Sequence, residues 1–360
     1  MGRRVIVMAG GTGGHVYPAL AVANELLADG HEVVWIGTRK GLEGRVIPAA
    51  GIPVEWLSIS GIRGKGVKGL LKAPFMLMRA LRQSWSIFRD VKPDVALGMG
   101  GFVSGPGGLV ASILGIPLIL HEQNRVPGTT NRMLAKRAAM VLEAFPGSFP
   151  AKTSAKVTGN PLRKDIAALP PRVETWDGQR PLNVLVIGGS LGAKALNETA
   201  PEAFAQTRYP LSIRHQTGEA MRAGTVERYA RQGLAAEVTA FVDDMAEAYG
   251  WADIAICRAG AMTVSELAAA GLPSILVPYP HAIDDHQTQN ARYLADVGAA
   301  VLLPQTDMTP ESLAKALDTI LAEPNRLESM VKAARLTAKP EAARIVADIC
   351  LDHARIARDS

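Results

Sequence analysis

Cysteine is nearly absent from this chain. Two thiols, Cys257 and Cys350, in 360 residues exclude a disulfide framework and lack the spacing of a metal site, so a reducing cytosol is expected. Aromatic residues contribute only 5%, yet a hydrophobic content of 48% with 20% charged residues is enough to build full cores and argues against disorder. No apolar run is both long and unbroken. Val95 to Leu120 carries no charge, but Gly98, Gly100, Gly101, Gly105, Pro106, Gly107, Gly108, Gly115 and Pro117 punctuate it, which predicts strand, glycine loop, short helix and strand rather than a membrane span. A signal peptide is not expected, because Arg3 and Arg4 lead into a short apolar run that ends in glycines without a small-residue cleavage site. Acidic residues are missing between Glu55 and Asp90. The net charge of +5 suits phosphate-bearing ligands, anionic membrane or nucleic acid without choosing among them.

Two nucleotide signatures are missing as well. No Walker A sequence occurs, so triphosphate hydrolysis lacks its phosphate cradle. Read as a dinucleotide fingerprint, Gly11-Thr12-Gly13-Gly14-His15-Val16 has Val at the third glycine position, and Gly37-Thr38-Arg39 stands where a ribose-binding carboxylate belongs, which demotes a nicotinamide enzyme.

What is present begins at Arg4-Val5-Ile6-Val7-Met8-Ala9-Gly10-Gly11-Thr12-Gly13-Gly14-His15-Val16-Tyr17-Pro18. A β-branched run passes into clustered glycines, and Pro18 opens an Ala/Leu-rich segment; this predicts a buried strand, a tight turn and a helix from Pro18 to Ala28. Such a turn offers backbone N–H groups and a positive dipole end to an anionic or hydroxyl-rich ligand. Strands at 32–36, 54–57, 94–98, 117–121 and 140–142 alternate with helices at 74–88, 105–114 and 130–138. Near Thr158 to Arg163 the periodicity fades, and Leu182 to Ala193 repeats the opening plan. Strands at 211–216, 236–241, 253–257 and 274–277 alternate with helices at 220–232, 245–251 and 261–270. Two doubly wound parallel sheets follow, one over 1–161 with a last helix at 341–360 returning to it, the other over 162–340. Open α/β sheets bind ligands at the C-terminal ends of their strands, which places the expected site between the halves.

Several residues could carry chemistry. His15 follows the glycines at a helix start, where the dipole disfavours imidazolium; it reads either as a neutral general base or as a residue bonding its own loop. His121-Glu122-Gln123-Asn124 ends a buried strand and offers donors and acceptors suited to a sugar, or is simply a solvated strand end. Arg258 to Glu266 runs from a strand into a helix: N–H groups at Ala261 to Thr263 suit a diphosphate and Glu266 a ribose diol, unless Thr263 and Glu266 only form a capping box. Gln287, in Asp284-Asp285-His286-Gln287, suits a sugar, and that segment matches no metal motif. Gly61 to Arg89 is basic and apolar together: Leu77, Leu81, Trp85 and Phe88 hold helical spacing as expected core. Phe75, Met76 and Met78 with the basic residues then form either a membrane face or a solvated one.

With these residues in place the chain resembles the MurG family of bacterial peptidoglycan glycosyltransferases. The match runs in register through Gly10 to His15, Gly100 to Pro106, His121 to Asn124, Thr158 to Pro161, Gly188 to Ala193, Phe241 to Met245, Arg258 to Glu266, and Asp285 to Gln287 with Asn290. The resemblance implies a GT-B fold of two Rossmann-like domains facing across a cleft. It implies inverting, metal-independent transfer of N-acetylglucosamine from UDP-N-acetylglucosamine, a substrate rather than a cofactor, to lipid I, giving lipid II at the cytoplasmic membrane face. On the donor side it assigns Arg163, Phe241 and Val242 to uracil, Glu266 to the ribose, Ser190 with Ala261, Met262 and Thr263 to the diphosphate, and Gln287 to the sugar, and it counts Val264 and Ser265 among the UDP-binding residues. The acceptor side is Thr12, Gly13, Gly14, Asn124, Gly101 and Phe102, with His15 as base and Glu122 as the second candidate. Expected partners are the two substrates, an anionic membrane through Gly61 to Arg89, and other cell-wall enzymes, but no nucleic acid. Phe102 and Val242 stand where the family commonly has Tyr and Ile. The rivals are a UDP-N-acetylglucosamine 2-epimerase, which has no lipid acceptor, and a non-catalytic sugar-nucleotide binding module.

Overall fold

The computed structural model describes residues 2–60, 66–172, 175–189, 192–280, 282, 285–323 and 325–359, without the side chains of 66–72 and 355–359. The chain divides into two compact units, Met1–Arg163 with Pro340–Ser360, and Lys164–Lys339.

In the first unit the chain runs β1 (Arg4–Met8), α1 (Gly13–Ala28), β2 (Glu32–Gly37), α2 (Glu43–Ala49), β3 (Val54–Trp56), α3 (Gly66–Val91), β4 (Val95–Gly98), α4 (Ser104–Ile113), β5 (Leu118–Glu122), α5 (Thr129–Leu134), β6 (Met140–Glu143) and β7 (Lys156–Val157). The seven strands form one parallel sheet in the order β3-β2-β1-β4-β5-β6-β7. Its central strands are continuous apolar runs because both faces are covered. Val5 and Val7 of β1 point into a core shared with Val16, Val22 and Leu26 of α1, and with Val346, Ala347 and Cys350 of a last helix in the chain (Ala342–Asp359). Ile6 and Met8 point the other way, against Ile87, Phe88, Val110 and Leu134. The uncharged stretch from Val95 resolves as β4, a glycine turn, α4 and β5, and among the described residues no helix is long and apolar enough to cross a membrane.

The second unit runs α6 (Lys164–Ala167), β8 (Leu182–Ile187), α7 (Lys194–Phe204), β9 (Leu211–Gln216), α8 (Arg222–Arg231), β10 (Ala236–Thr239), α9 (Met245–Trp251), β11 (Ile254–Cys257), α10 (Ala261–Ala270), β12 (Ser274–Leu276), α11 (His286–Ala295), β13 (Ala300–Leu302), α12 (Pro310–Ala322) and α13 (Arg326–Thr337). The last helix of the chain, named above, is α14. The six strands of the second unit are again all parallel, in the order β10-β9-β8-β11-β12-β13. Val184 and Val186 pack with Leu196 and Ala200 of α7 and with Leu313, Leu317 and Ile320 of α12.

Three expectations are corrected. The first helix starts at Gly13, with Thr12 as its N-cap and Pro18 inside it, so His15 sits within the first turn. α5 ends at Leu134 rather than reaching Ala138. The third concerns α3: Leu77 and Trp85 are 46% and 39% exposed, and the buried stripe is Ala80, Ser84, Ile87 and Phe88. Small residues at 80 and 84 let α3 approach α4, which it packs against; Leu77 and Trp85 would hold the helices apart. The exposed set is therefore Phe75, Leu77, Met78 and Trp85. Gly61 to Lys65 lie outside the described residues.

Candidate functional site

In the first unit the site is built where β1 and β4 end side by side. Thr12 adopts extended geometry, and its carbonyl accepts from the N–H groups of His15 and Val16, each at 3.1 Å. Its hydroxyl lies 3.3 Å from His15 Nδ1, which fixes one edge of the ring. The other edge rests on the second glycine turn: a Cβ on Gly100 (φ +98) would fall 2.6 Å from His15 Cδ2 and 2.9 Å from Nε2. Gly101 (φ +76) meets the opening loop equally closely, since a Cβ there would stand 2.5 Å from Gly10 O. Both conformations are ones that L side chains rarely adopt, so these two glycines are required by backbone shape and by space. Ser104 Oγ ties the turn down, 2.8 Å from Met8 O and 2.7 Å from Gly100 O. The Phe102 ring edge stands 3.7 Å from where a Gly11 Cβ would be. Thr12, Gly13, Gly14, His15, Gly101 and Phe102 are thus brought together.

The His121 to Asn124 segment turns inward, against the expectation of four polar side chains reaching outward. His121, Glu122 and Gln123 are 0%, 3% and 1% exposed. His121 Nε2 lies 2.9 Å from Gly159 O and Nδ1 lies 3.1 Å from Gln123 Nε2, the pattern of a neutral ring; burial pushes its pKa down to about 4. Glu122 is committed to its own loop. Its Oε2 accepts from Gly128 N–H at 3.0 Å and Asn131 Nδ2 at 2.9 Å, and Oε1 accepts from Asn124 N–H at 3.0 Å. These bonds hold the 122–131 loop and leave Asn124, half-buried, as the member of the four that is still partly open.

In the second unit β8 leads into Gly188 and Gly189, and Gln216 braces that turn: its Nε2 donates to Gly189 O at 3.0 Å and to Ala240 O at 2.9 Å. Ser190, expected at the diphosphate, lies outside the described residues, as does Asp284. Phe241 is 54% exposed; with Val242, Thr239, Leu185, Arg214 and neighbouring residues it lines a cavity of about 250 Å³. Arg214 is bonded to Glu237 at 3.0 Å and Glu247 at 2.9 Å, with its guanidinium 4.3 Å over the Trp251 ring. The two carboxylates keep that guanidinium charged. Arg163, expected beside them, is the last residue of the first unit.

α10 begins at Ala261 with Gly260 as its N-cap, whose extended backbone carries no side-chain cap. The capping-box reading of Thr263 and Glu266 therefore fails, because the N-cap position has no hydroxyl. Glu266 instead accepts from the Tyr249 hydroxyl at 2.8 Å, which orients its carboxylate. Arg258 braces the strand end from below, donating to Val277 O at 3.1 Å and Gln305 Oε1 at 2.6 Å. Gln287 Oε1 accepts from Tyr279 N–H at 2.9 Å, and Asn290 Nδ2 donates to Ala259 O at 3.3 Å, so the start of α11 holds the loop that flanks the α10 terminus. Among the described residues no group of three or more His, Cys, Asp or Glu is placed to hold a metal ion. Glu43, Gln216 and Tyr249 are supporting residues that sequence reading missed. Glu43 follows Gly41 closely, but nothing in the sequence marks it as buried.

Two all-parallel Rossmann-like units, each with a glycine turn at the C-terminal end of its first strand, are the GT-B architecture of nucleotide-sugar glycosyltransferases. Residues 5–143 match the glycosyltransferase family 28 N-terminal domain and residues 183–346 its C-terminal domain. The chain belongs to this family, within its MurG branch. A relative from Methylococcus capsulatus, UDP-N-acetylglucosamine–N-acetylmuramyl-(pentapeptide) pyrophosphoryl-undecaprenol N-acetylglucosamine transferase, is 59% identical over 98% of this chain and 99% of its own. One of the same name from Pseudomonas fluorescens is 52% identical over 98% and 99%. The crystal structure of Acinetobacter baumannii MurG superposes with a TM-score of 0.83 at 43% identity, covering 97% of this chain and 99% of that one. A UDP-GlcNAc 2-epimerase from Neisseria meningitidis, at 12% identity and a TM-score of 0.67 over 97% and 100%, shares the fold alone.

Proposed function

We propose that this chain transfers N-acetylglucosamine from UDP-N-acetylglucosamine to the 4-hydroxyl of the N-acetylmuramoyl unit of lipid I, giving lipid II. The observation that carries this reading is 59% identity, over nearly the whole chain, to a relative named for that transfer. The acceptor hydroxyl attacks the anomeric carbon from the face opposite UDP. A C–O bond to the acceptor forms, the bond from that carbon to the diphosphate oxygen breaks, and the hydroxyl proton passes to His15. Support for His15 is its half-buried ring, held between Thr12 and Gly100. Glu122 is set aside as base, since its carboxylate already accepts from Gly128, Asn131 and Asn124.

Negative charge develops on the departing UDP. The N-terminus of α10 stabilises it in the role a metal ion often fills, with Glu266 taking the ribose diol and Phe241 and Val242 the uracil. Gln287 addresses the donor sugar. Membrane association is peripheral, through the exposed Phe75, Leu77, Met78 and Trp85 of α3 with Arg79, Arg82 and Arg89. Each basic residue near an anionic leaflet contributes about 1 kcal/mol.

Incubation of the protein with labelled UDP-N-acetylglucosamine and a lipid I analogue, in excess chelator, tests the proposal. Labelled lipid is expected. N-acetylmannosamine with UDP would identify an epimerase, and unaltered donor a binding module.

A further inference from the structure

We propose that Glu43 is the positioning residue of the His15 loop: its buried carboxylate fixes the Gly10–Thr12 turn and, through it, the place of the imidazole. The inference rests on the reading of His15 as the base. Glu43 opens α2, belongs to no ligand site assigned above, and is 0% exposed. One oxygen, Oε2, accepts from Gly11 N–H at 3.0 Å; the other, Oε1, accepts from Thr38 N–H at 2.9 Å and Thr38 Oγ1 at 2.7 Å. The carboxylate therefore bridges the end of β2 to the loop that follows β1, and both of its oxygens are occupied.

The space around it is shaped for this side chain. A Cβ on Gly10 would lie 2.6 Å from Glu43 Oε1, one on Gly37 2.7 Å from its Cγ, and one on Gly41 2.1 Å from Oε2. Two glycines at or just past strand ends, Gly37 and Gly10, and Gly41 in the loop before α2 leave room for a carboxylate that bulkier residues would have excluded. Burying such a group is unfavourable unless each oxygen is hydrogen-bonded, which is the arrangement found. Gly11, the residue it holds, has φ +97, a conformation with no preference of its own in a glycine. The N–H of Gly11 is thereby fixed immediately before Thr12, whose carbonyl and hydroxyl position His15. Removing the Glu43 contact frees the turn without touching any substrate group.

The full chain is compared with Glu43→Gln, His15→Ala and the double variant, measuring kcat, donor KM and melting temperature. Glutamine keeps one oxygen for Thr38 and turns an amide N–H2 toward Gly11 N–H. A loss of about 10- to 100-fold in kcat is expected, with donor KM within about threefold of the parent. The double variant is expected within about twofold of His15→Ala, because a residue acting through His15 has nothing left to position. A folded Glu43→Gln protein with unchanged kcat beside an inactive His15→Ala overturns the positioning role alone, and multiplicative losses in the double variant do the same. Near-normal turnover in His15→Ala overturns the base assignment and this role with it. Should Glu43→Gln lose its melting transition, Thr38→Val removes one donor to the same carboxylate: a kcat loss absorbed by His15→Ala supports the role, an additive one overturns it.

Discussion

At the scale of single residues, the two candidates for the base sit in different surroundings. His15 is held on one edge by Thr12 and packed on the other by Gly100. His15→Ala is expected to lower kcat by roughly 10²- to 10⁴-fold, with donor affinity by calorimetry unchanged. Glu122→Ala should act on stability instead, costing about 1–3 kcal/mol in denaturant unfolding, because the Gly128, Asn131 and Asn124 donors it satisfies are left without their acceptor. His121 adds a pH dependence. Its folded pKa of about 4 lies below the ordinary value near 6.5, so between those values the unfolded chain binds a proton that the folded chain does not. Stability is then full above about pH 6.5 and falls toward pH 4 by up to about 3 kcal/mol. His121→Gln should flatten that slope. The place of His15 in the first turn of α1 could be read from the glycines before it, whereas the inward turn of His121, Glu122 and Gln123 could not: a parallel strand covered on both faces gives no alternation to show which side chains reach solvent.

At the scale of elements, the strands and glycine turns were legible because a buried parallel strand is a short apolar run with fixed punctuation. α3 is oriented differently from its periodicity for an equally plain reason. It carries apolar residues on two faces, and periodicity alone assigns the bulkier set, Leu77 and Trp85, to the core; the structure buries the stripe containing Ala80 and Ser84. The same correction enlarges the exposed apolar face. Phe75→Ser with Met78→Ser is expected to weaken sedimentation with anionic vesicles by at least about tenfold, since each side chain loses apolar burial worth about 1.5–3 kcal/mol. The melting temperature should stay close to the parent value, because Phe75 and Met78 are 77% and 51% exposed. An equal loss on neutral vesicles would show that the arginines make no contribution to binding.

For the whole molecule, each unit carries one buried thiol, Cys350 in the first and Cys257 in the second. Burial pushes both up to about 12, so neither should react with a thiol reagent at pH 8 in the native protein. Their labelling during a denaturant titration reports the unfolding of each unit separately. The proposed glycosyl transfer draws on both units, the first through His15 and the second through α10. Proton NMR of a reaction containing α-linked UDP-N-acetylglucosamine and a soluble lipid I analogue tests it most directly. One UDP released for each β-linked N-acetylglucosamine formed on the acceptor is expected. An α-linkage, or UDP accompanied by free sugar with the acceptor unaltered, would contradict it.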